Sequence, residues 1–176
     1  MSETAKKHKA SAPKTLNFGI FICSASRYQQ MQRGEKVEDP SGDLIVALLR
    51  AQGHNVLFKE IVLDDTKQIQ QAAKKAIQKA SLDVCIFCGG TGITPTDVTI
   101  ETVTPLLEKT LPGFGEIFRR LSYDQVGSAA VMTRAIAGVA KGKAFFCVPG
   151  SPNAARLSVE TLILAEASHI VKHVRE

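Results

Sequence analysis

The residues best suited to chemistry lie in Cys88-Gly89-Gly90-Thr91-Gly92-Ile93-Thr94-Pro95-Thr96-Asp97. Gly89, Gly90 and Gly92 remove the side chains just where an apolar run, Val84-Cys85-Ile86-Phe87, ends. Glycine admits positive φ and lets a ligand approach backbone N–H groups. Hydroxyls and a carboxylate follow at once, in Thr94, Thr96, Asp97 and Thr99. Buried strand, bare turn, polar helix start: this order can hold a phosphate together with a metal ion. The turn is not a Walker loop, because no Gly-Lys-Ser/Thr follows. Its glycine spacing is not that of a dinucleotide fingerprint either.

Two carboxylates sharpen the reading. Asp97 sits after the bare turn and Asp64 after a second apolar run. Each has an ordinary explanation as a helix cap, which contributes about 1 kcal/mol. Each could instead hold Mg²⁺ against phosphate oxygens. Thr99 and Glu101 are close enough in sequence to assist or to be plain helix surface. A second bare turn, Pro149-Gly150-Ser151-Pro152, again offers N–H donors at a helix start, or is simply a rigid turn. His169 and His173 share a helix face at four-residue spacing but have no acidic partner arranged for a metal, so a solvated helix end is expected. Cys85 and Cys88 form a C-x-x-C inside a strand, where residues three apart point to opposite faces. With Cys23 and Cys147 they are expected to be buried thiols rather than a metal knuckle or redox pair.

These residues need elements to position them. Leu16–Cys23 reads as strand one, and Ser24–Pro40 as a long polar loop. A helix opens at Ser41-Gly42-Asp43 and closes at Gly53. Val56–Leu63 is strand two. Asp64-Asp65-Thr66 starts a helix whose stripe is Ile69, Ala72, Ala73, Ala76, Ile77 and Ala80. Val84–Cys88 is strand three. Residues 97–109 are helical with a break before Pro105. A helix through Phe114, Ile117, Phe118 and Leu121 follows, then another over 128–137. Ala144–Val148 is strand four, and 154–170 the last helix. Alternation of this kind predicts a three-layer α/β fold: a mostly parallel twisted sheet with helices on both faces. The segments at Ser24, Asp64-Asp65, Gly89–Asp97 and Pro149–Pro152 then share the carboxyl edge of the sheet, where open α/β sheets bind ligands.

At 176 residues, 44% apolar and 22% charged, the chain suits one soluble domain over residues 15–176. No apolar run is long enough to span a membrane, and the polar N-terminus lacks the centre of a signal peptide. A cytoplasmic protein is expected. The net charge of +5 is concentrated in Lys6, Lys7, Lys9 and Lys14. Residues 1–14 read as a disordered basic tail. The remainder is nearly balanced and only sparsely aromatic, which argues against nucleic-acid binding.

Residues 89–99 (Gly-Gly-Thr-Gly-Ile-Thr-Pro-Thr-Asp-Val-Thr), 112–116 (Pro-Gly-Phe-Gly-Glu) and 149–154 (Pro-Gly-Ser-Pro-Asn-Ala) occur in an order that resembles the MoaB/MogA family of molybdenum-cofactor biosynthesis proteins, closest to the MoaB type. Asp39-Pro40-Ser41-Gly42 and Leu63-Asp64-Asp65 fit the same pattern, and the resemblance runs from about residue 16 to the end. It implies a molybdopterin adenylyltransferase using Mg²⁺ and ATP, with molybdopterin as substrate. It also implies a homo-oligomer, a trimer or hexamer, that works beside other proteins of the cofactor pathway. By that resemblance Asp64 and Asp97 hold the metal-bound nucleotide. Gly89, Gly90, Thr91, Gly92 and Thr94 cradle phosphates, and Gly150, Ser151 and Pro152 face the pterin phosphate. The chain departs from the pattern at Ala25, where many members have Asp, and at Thr96, where an Arg is common. Arg27 or Lys36 could replace that Arg. A non-catalytic pterin-binding scaffold of the same fold is the alternative implied by these departures.

Overall fold

Three strands buried along almost their whole length form the middle of the sheet, and their alternating side chains build a core on each face. The computed structural model describes residues 12–176, so residues 1–11 of the basic tail lie outside the described residues. The strands are β1 (Asn17–Cys23), β2 (Asn55–Val62), β3 (Val84–Cys88), β4 (Lys109–Thr110), β5 (Ile136–Ala140) and β6 (Lys143–Val148). The helices are α1 (Ala25–Gln32), α2 (Pro40–Ala51), α3 (Thr66–Gln78), α4 (Thr99–Val103), α5 (Pro112–Val126), α6 (Pro152–Leu157) and α7 (Leu164–Arg175). The sheet order is β2-β1-β3-β6-β5-β4. The first four in that order are parallel, while β5 pairs antiparallel with both β6 and β4.

Side chains two apart share a face. Phe18, Ile20, Ile22, Ile86 and Phe146 pack with Ile45 and Leu49 of α2 and with Val159, Ile163 and Val171 near the C-terminus. Phe21, Cys85, Phe87, Phe145 and Cys147 pack with Ile69, Ala72, Ala73 and Ala76 of α3. The expected three-layer α/β architecture is therefore present. Cys85 and Cys88 fall in opposite cores, and all four cysteines are free and buried. No helix among the described residues is long and apolar enough to cross a membrane.

Several local expectations are corrected. The polar segment after β1 is not all loop. Ser24 Oγ accepts the Arg27 N–H and starts α1, which has no buried residue and so shows no apolar period. Residues 128–137 are not a helix: a 3₁₀ stretch spans Gly127–Met132 and gives way to β5. The hairpin from β5 to β6 turns on Lys141 and Gly142, both at positive φ (48° and 73°). That is the two-residue turn whose twist suits adjoining strands. Ile117 is exposed rather than on the inner face of α5. Ala80 lies beyond the end of α3 and is exposed. The last helix runs from Pro152 to Arg175 with a π segment at Ser158–Ile163.

Candidate functional site

The carboxyl ends of the parallel strands deliver the predicted segments to one rim. Gly89 N–H donates to Val148 O (3.0 Å), so the turn after β3 runs beside the turn after β6. A Cβ on Gly150 would stand 3.2 Å from Gly89 Cα, so the two bare turns meet glycine against glycine. Gly89 lies at φ +107°, a value that L side chains rarely adopt. Ser41, at the start of α2, donates its hydroxyl to Gly150 O (2.6 Å) and ties a third segment to the rim. Asp39 Oδ1 accepts the Gly42 N–H (3.0 Å) and its Oδ2 the Lys59 ammonium (3.0 Å), which fixes the residues ahead of Ser41.

The two acids lie on either side of the turn. Asp64 is not the cap of α3, since Asp65 takes the Lys67 and Gln68 N–H groups (2.8 and 3.0 Å). Asp64 instead points beneath Gly90. A side chain on Gly90, which sits at φ +62°, would collide with Asp64 Oδ1 and Thr99 Oγ1. Both of those oxygens are buried without an oxygen or nitrogen hydrogen-bond partner, the Thr99 hydroxyl facing only the buried Cys23 thiol. Burial, and then the charges of Asp97 and Asp65, push the Asp64 carboxyl up to about 6. Buried unpartnered polar oxygens are uncommon and call for an explanation. Two hard oxygen donors in a space that a methyl group would fill fit a hard divalent cation such as Mg²⁺.

Asp97 differs. It stands against Gly92, where a Cβ would lie 2.6 Å from Oδ2. That oxygen accepts both the N–H and the hydroxyl of Thr94 (2.9 and 2.6 Å). Partial burial pushes its carboxyl up, but the bonds from Thr94 and from the Gly92 N–H, with the Arg134 charge, outweigh it and hold it below the usual range. Asp97 is not at the helix start either: α4 begins at Thr99, after a Val98 that makes no side-chain cap.

A cleft of about 390 Å³ is lined by Gly89, Gly90, Thr91, Gly92, Asp97 and Gly150, with Cys23, Met132, Thr133, Arg134 and Pro149. Thr94 stands outside it, behind Asp97, spending its hydroxyl there. Ser151 is exposed at the rim, its oxygen accepting the Ala154 N–H (3.3 Å), and Pro152 is the first residue of α6. Arg134 is the residue that sequence reasoning missed. It precedes β5, in the segment expected to be helical, and only the packing of β5 brings it to the cleft. Its Nε donates to Thr91 O (3.0 Å), Nη2 to Gly92 O (2.5 Å), and Nη1 pairs with Glu101. Arg27 does not take this place, because it donates to Glu38 O (3.1 Å).

His169 and His173 lie elsewhere, lining a separate cavity of about 560 Å³ with Glu108, Lys109 and Val139. Their Nε2 atoms are 2.9 Å apart, and, contrary to the expectation that no acid is arranged with them, each Nδ1 meets a carboxylate one helical turn away, Glu166 or Glu176. No group of three or more metal-ligating side chains forms among the described residues.

Comparison with known proteins agrees with this fold. A family profile described as a probable molybdopterin binding domain matches residues 19–169. Molybdenum cofactor biosynthesis protein B of Bacillus subtilis is 39% identical over 174 residues, covering 98% of each chain. A protein named molybdopterin adenylyltransferase from Pyrococcus furiosus is 44% identical over 175 residues, covering 97% of this chain and 98% of its own. Among solved structures, a molybdenum cofactor biosynthesis protein B superposes with a TM-score of 0.85 at 43% identity, covering 94% of this chain and 99% of the other. The tungsten cofactor synthesizing protein MoaB of Pyrococcus furiosus superposes at 0.81 with 42% identity, covering 94% and 100%.

Proposed function

The chain belongs to the MoaB/MogA family of molybdenum-cofactor biosynthesis proteins, and from that premise we propose that it transfers AMP from ATP to the terminal phosphate of molybdopterin. In this reaction a phosphate oxygen of the pterin attacks the α-phosphorus of ATP. The bond to the bridging oxygen breaks, and pyrophosphate leaves. Both reactants are anionic, so positioning and charge neutralisation are most of the task. The observation that carries the reading is the pair of oxygens, Asp64 Oδ1 and Thr99 Oγ1, buried without an oxygen or nitrogen partner beneath the glycine turn.

In this reading Asp64, with Thr99, would hold Mg²⁺, which when bound offsets charge on the nucleotide phosphates. Gly89, Gly90 and Gly92 line the cleft that would take the phosphates, and their missing side chains let the turn close on Cys23 O, Asp64 and Asp97. Asp97 keeps the far side of the turn in register through Thr94 and the Gly92 N–H. Arg134 supplies the cation that Thr96 does not. Gly150 packs its bare side against Gly89 and so brings the two turns together at the cleft that would take the pterin phosphate, which Ser151 and Pro152 border.

The test is to incubate the protein with molybdopterin, ATP and Mg²⁺ and weigh the products. Adenylylated pterin with an equivalent of pyrophosphate is expected. Asp64→Asn should lower turnover by about 100-fold or more, in line with losing a metal-binding group. A second reading, a non-catalytic pterin-binding protein, draws on one observation: the Oδ2 of Asp97 is already engaged by Thr94. Pterin binding without adenylylated product would select it and overturn the first.

Self-association belongs to the same proposal. Ile117 (52% exposed), Tyr123 (58%), Val126 (56%), Val131 (83%) and Met132 (56%) place apolar side chains on α5 and the 3₁₀ stretch after it. Met132 also lines the cleft, so a trimer built on this face would adjoin the site.

A further inference from the structure

We propose that Arg134 is a positioning residue that locks the peptide groups of the Gly-rich turn, so that their carbonyls are held on the guanidinium and kept from facing a bound anion. The proposal rests on the reading of the turn as a phosphate site. Its basis is the way one guanidinium is spent. Nε donates to Thr91 O and Nη2 to Gly92 O, so two consecutive carbonyls point toward Arg134. Neither peptide is cis. In a trans peptide the N–H points opposite to the C=O, so the N–H groups of Gly92 and Ile93 are turned away from Arg134. The Gly92 N–H is directed at the Asp97 carboxylate. Arg134 and Asp97 therefore grip the Thr91–Gly92 peptide from its two ends. Glu101 pairs with the same guanidinium and holds it in place.

The grip has a purpose because the turn is free to rotate without it. Glycine on one or both sides of a peptide removes the steric barrier to alternative φ/ψ. A flip of either peptide would release a carbonyl dipole from the guanidinium and let it face the phosphate that the turn is read as holding. Such a turn would repel the anion that it is shaped to admit. Thr91 is only 3% exposed, so water is poorly placed to replace the guanidinium at its carbonyl. The function of Arg134 is thus one of shape as much as charge. Lysine, a single point donor on a flexible stem, cannot span two carbonyls and a carboxylate at once.

Arg134→Lys and Arg134→Gln in the full chain separate the two roles. Binding of Mg-ATP by calorimetry gives one readout, and exchange of the Gly92 amide hydrogen by NMR, without nucleotide, gives another. Both variants are expected to bind nucleotide roughly tenfold or more weakly than the native chain, with Lys no better than Gln, as loss of a forked contact implies. The Gly92 amide should exchange faster in both. If Arg134→Gln fails to fold, Arg134→Lys carries the test alone. Native affinity in Arg134→Lys together with an unchanged Gly92 amide would overturn the proposal, leaving Arg134 a plain charge. Should the native protein bind no nucleotide, the functional reading falls, while the amide measurement still decides whether Arg134 holds the turn.

Discussion

Asp64 and Asp65 are adjacent carboxylates with opposite consequences for stability. Asp64 is held against its preferred ionisation: its carboxyl titrates near 3.8 when unperturbed and at about 6 in the fold, chiefly through burial. Between those values the folded chain binds the extra proton, so stability falls as pH rises from about 4 to about 6. Above that window the full penalty is present; below it the penalty is gone. Asp64→Asn carries no such charge. In chelator, it should be more stable than the native protein at pH 7.5 by about 1 kcal/mol, a figure already reduced for solvent screening. The two should converge near pH 4 in urea unfolding. Equal stability at pH 7.5 would mean that the carboxylate has a partner. A group that weakens the fold when charged and yet is kept beside a hydroxyl without an oxygen or nitrogen partner is best explained by a ligand.

At the scale of elements, α3 and the parallel strands share the work of delivering that group. Asp65 caps α3 with two N–H bonds, and the buried alanine stripe lets the helix lie close to the sheet. Asp65→Ala should cost about 1 kcal/mol of stability at neutral pH, the usual value of a cap, while the proposed adenylyl transfer persists. The pair of variants thus separates positioning the helix from the proposed metal binding. If Asp65→Ala abolished product formation with the fold intact, the roles assigned to the two residues would be reversed. The bare turns behave similarly: Gly89 and Gly150 touch because β3 and β6 are neighbours, a fact of strand order rather than of either turn.

For the molecule as a whole, the apolar residues left uncovered on α5 and the following 3₁₀ stretch call for a partner surface. Exposed apolar side chains gathered in one stretch of a molecule can mark an interface. Light scattering after gel filtration should give a trimer or hexamer at micromolar concentration. Val131→Asp, which introduces charge at the most exposed of these positions, should shift the population toward monomer. A native protein that runs as a monomer would remove the proposal. Because Met132 and Thr133 border the cleft, the same variant is expected to weaken pterin binding more than its distance from Asp64 would suggest.

What could be read in sequence was what local chemistry dictates. Alternating apolar runs, glycines that strip a turn and carboxylates after strands made the three-layer fold and the rim legible. The buried C-x-x-C was recognised because strand geometry sends residues three apart to opposite faces. Local pattern failed where a segment's partner lay far along the chain. Helix α1 hides no side chain, so it leaves no period. Strand β5 is short and rich in small residues, and the Lys141-Gly142 turn of its hairpin lacks the Asn-Gly or Asp-Gly pair that marks such turns. Arg134 carried no signal at all, because its role depends on carbonyls some forty residues away. Which of Asp64 and Asp65 would cap and which would face the site was likewise settled by packing. Neighbouring residues are equal as chemistry, and only the direction in which the folded backbone points them makes one structural and leaves the other free to bind.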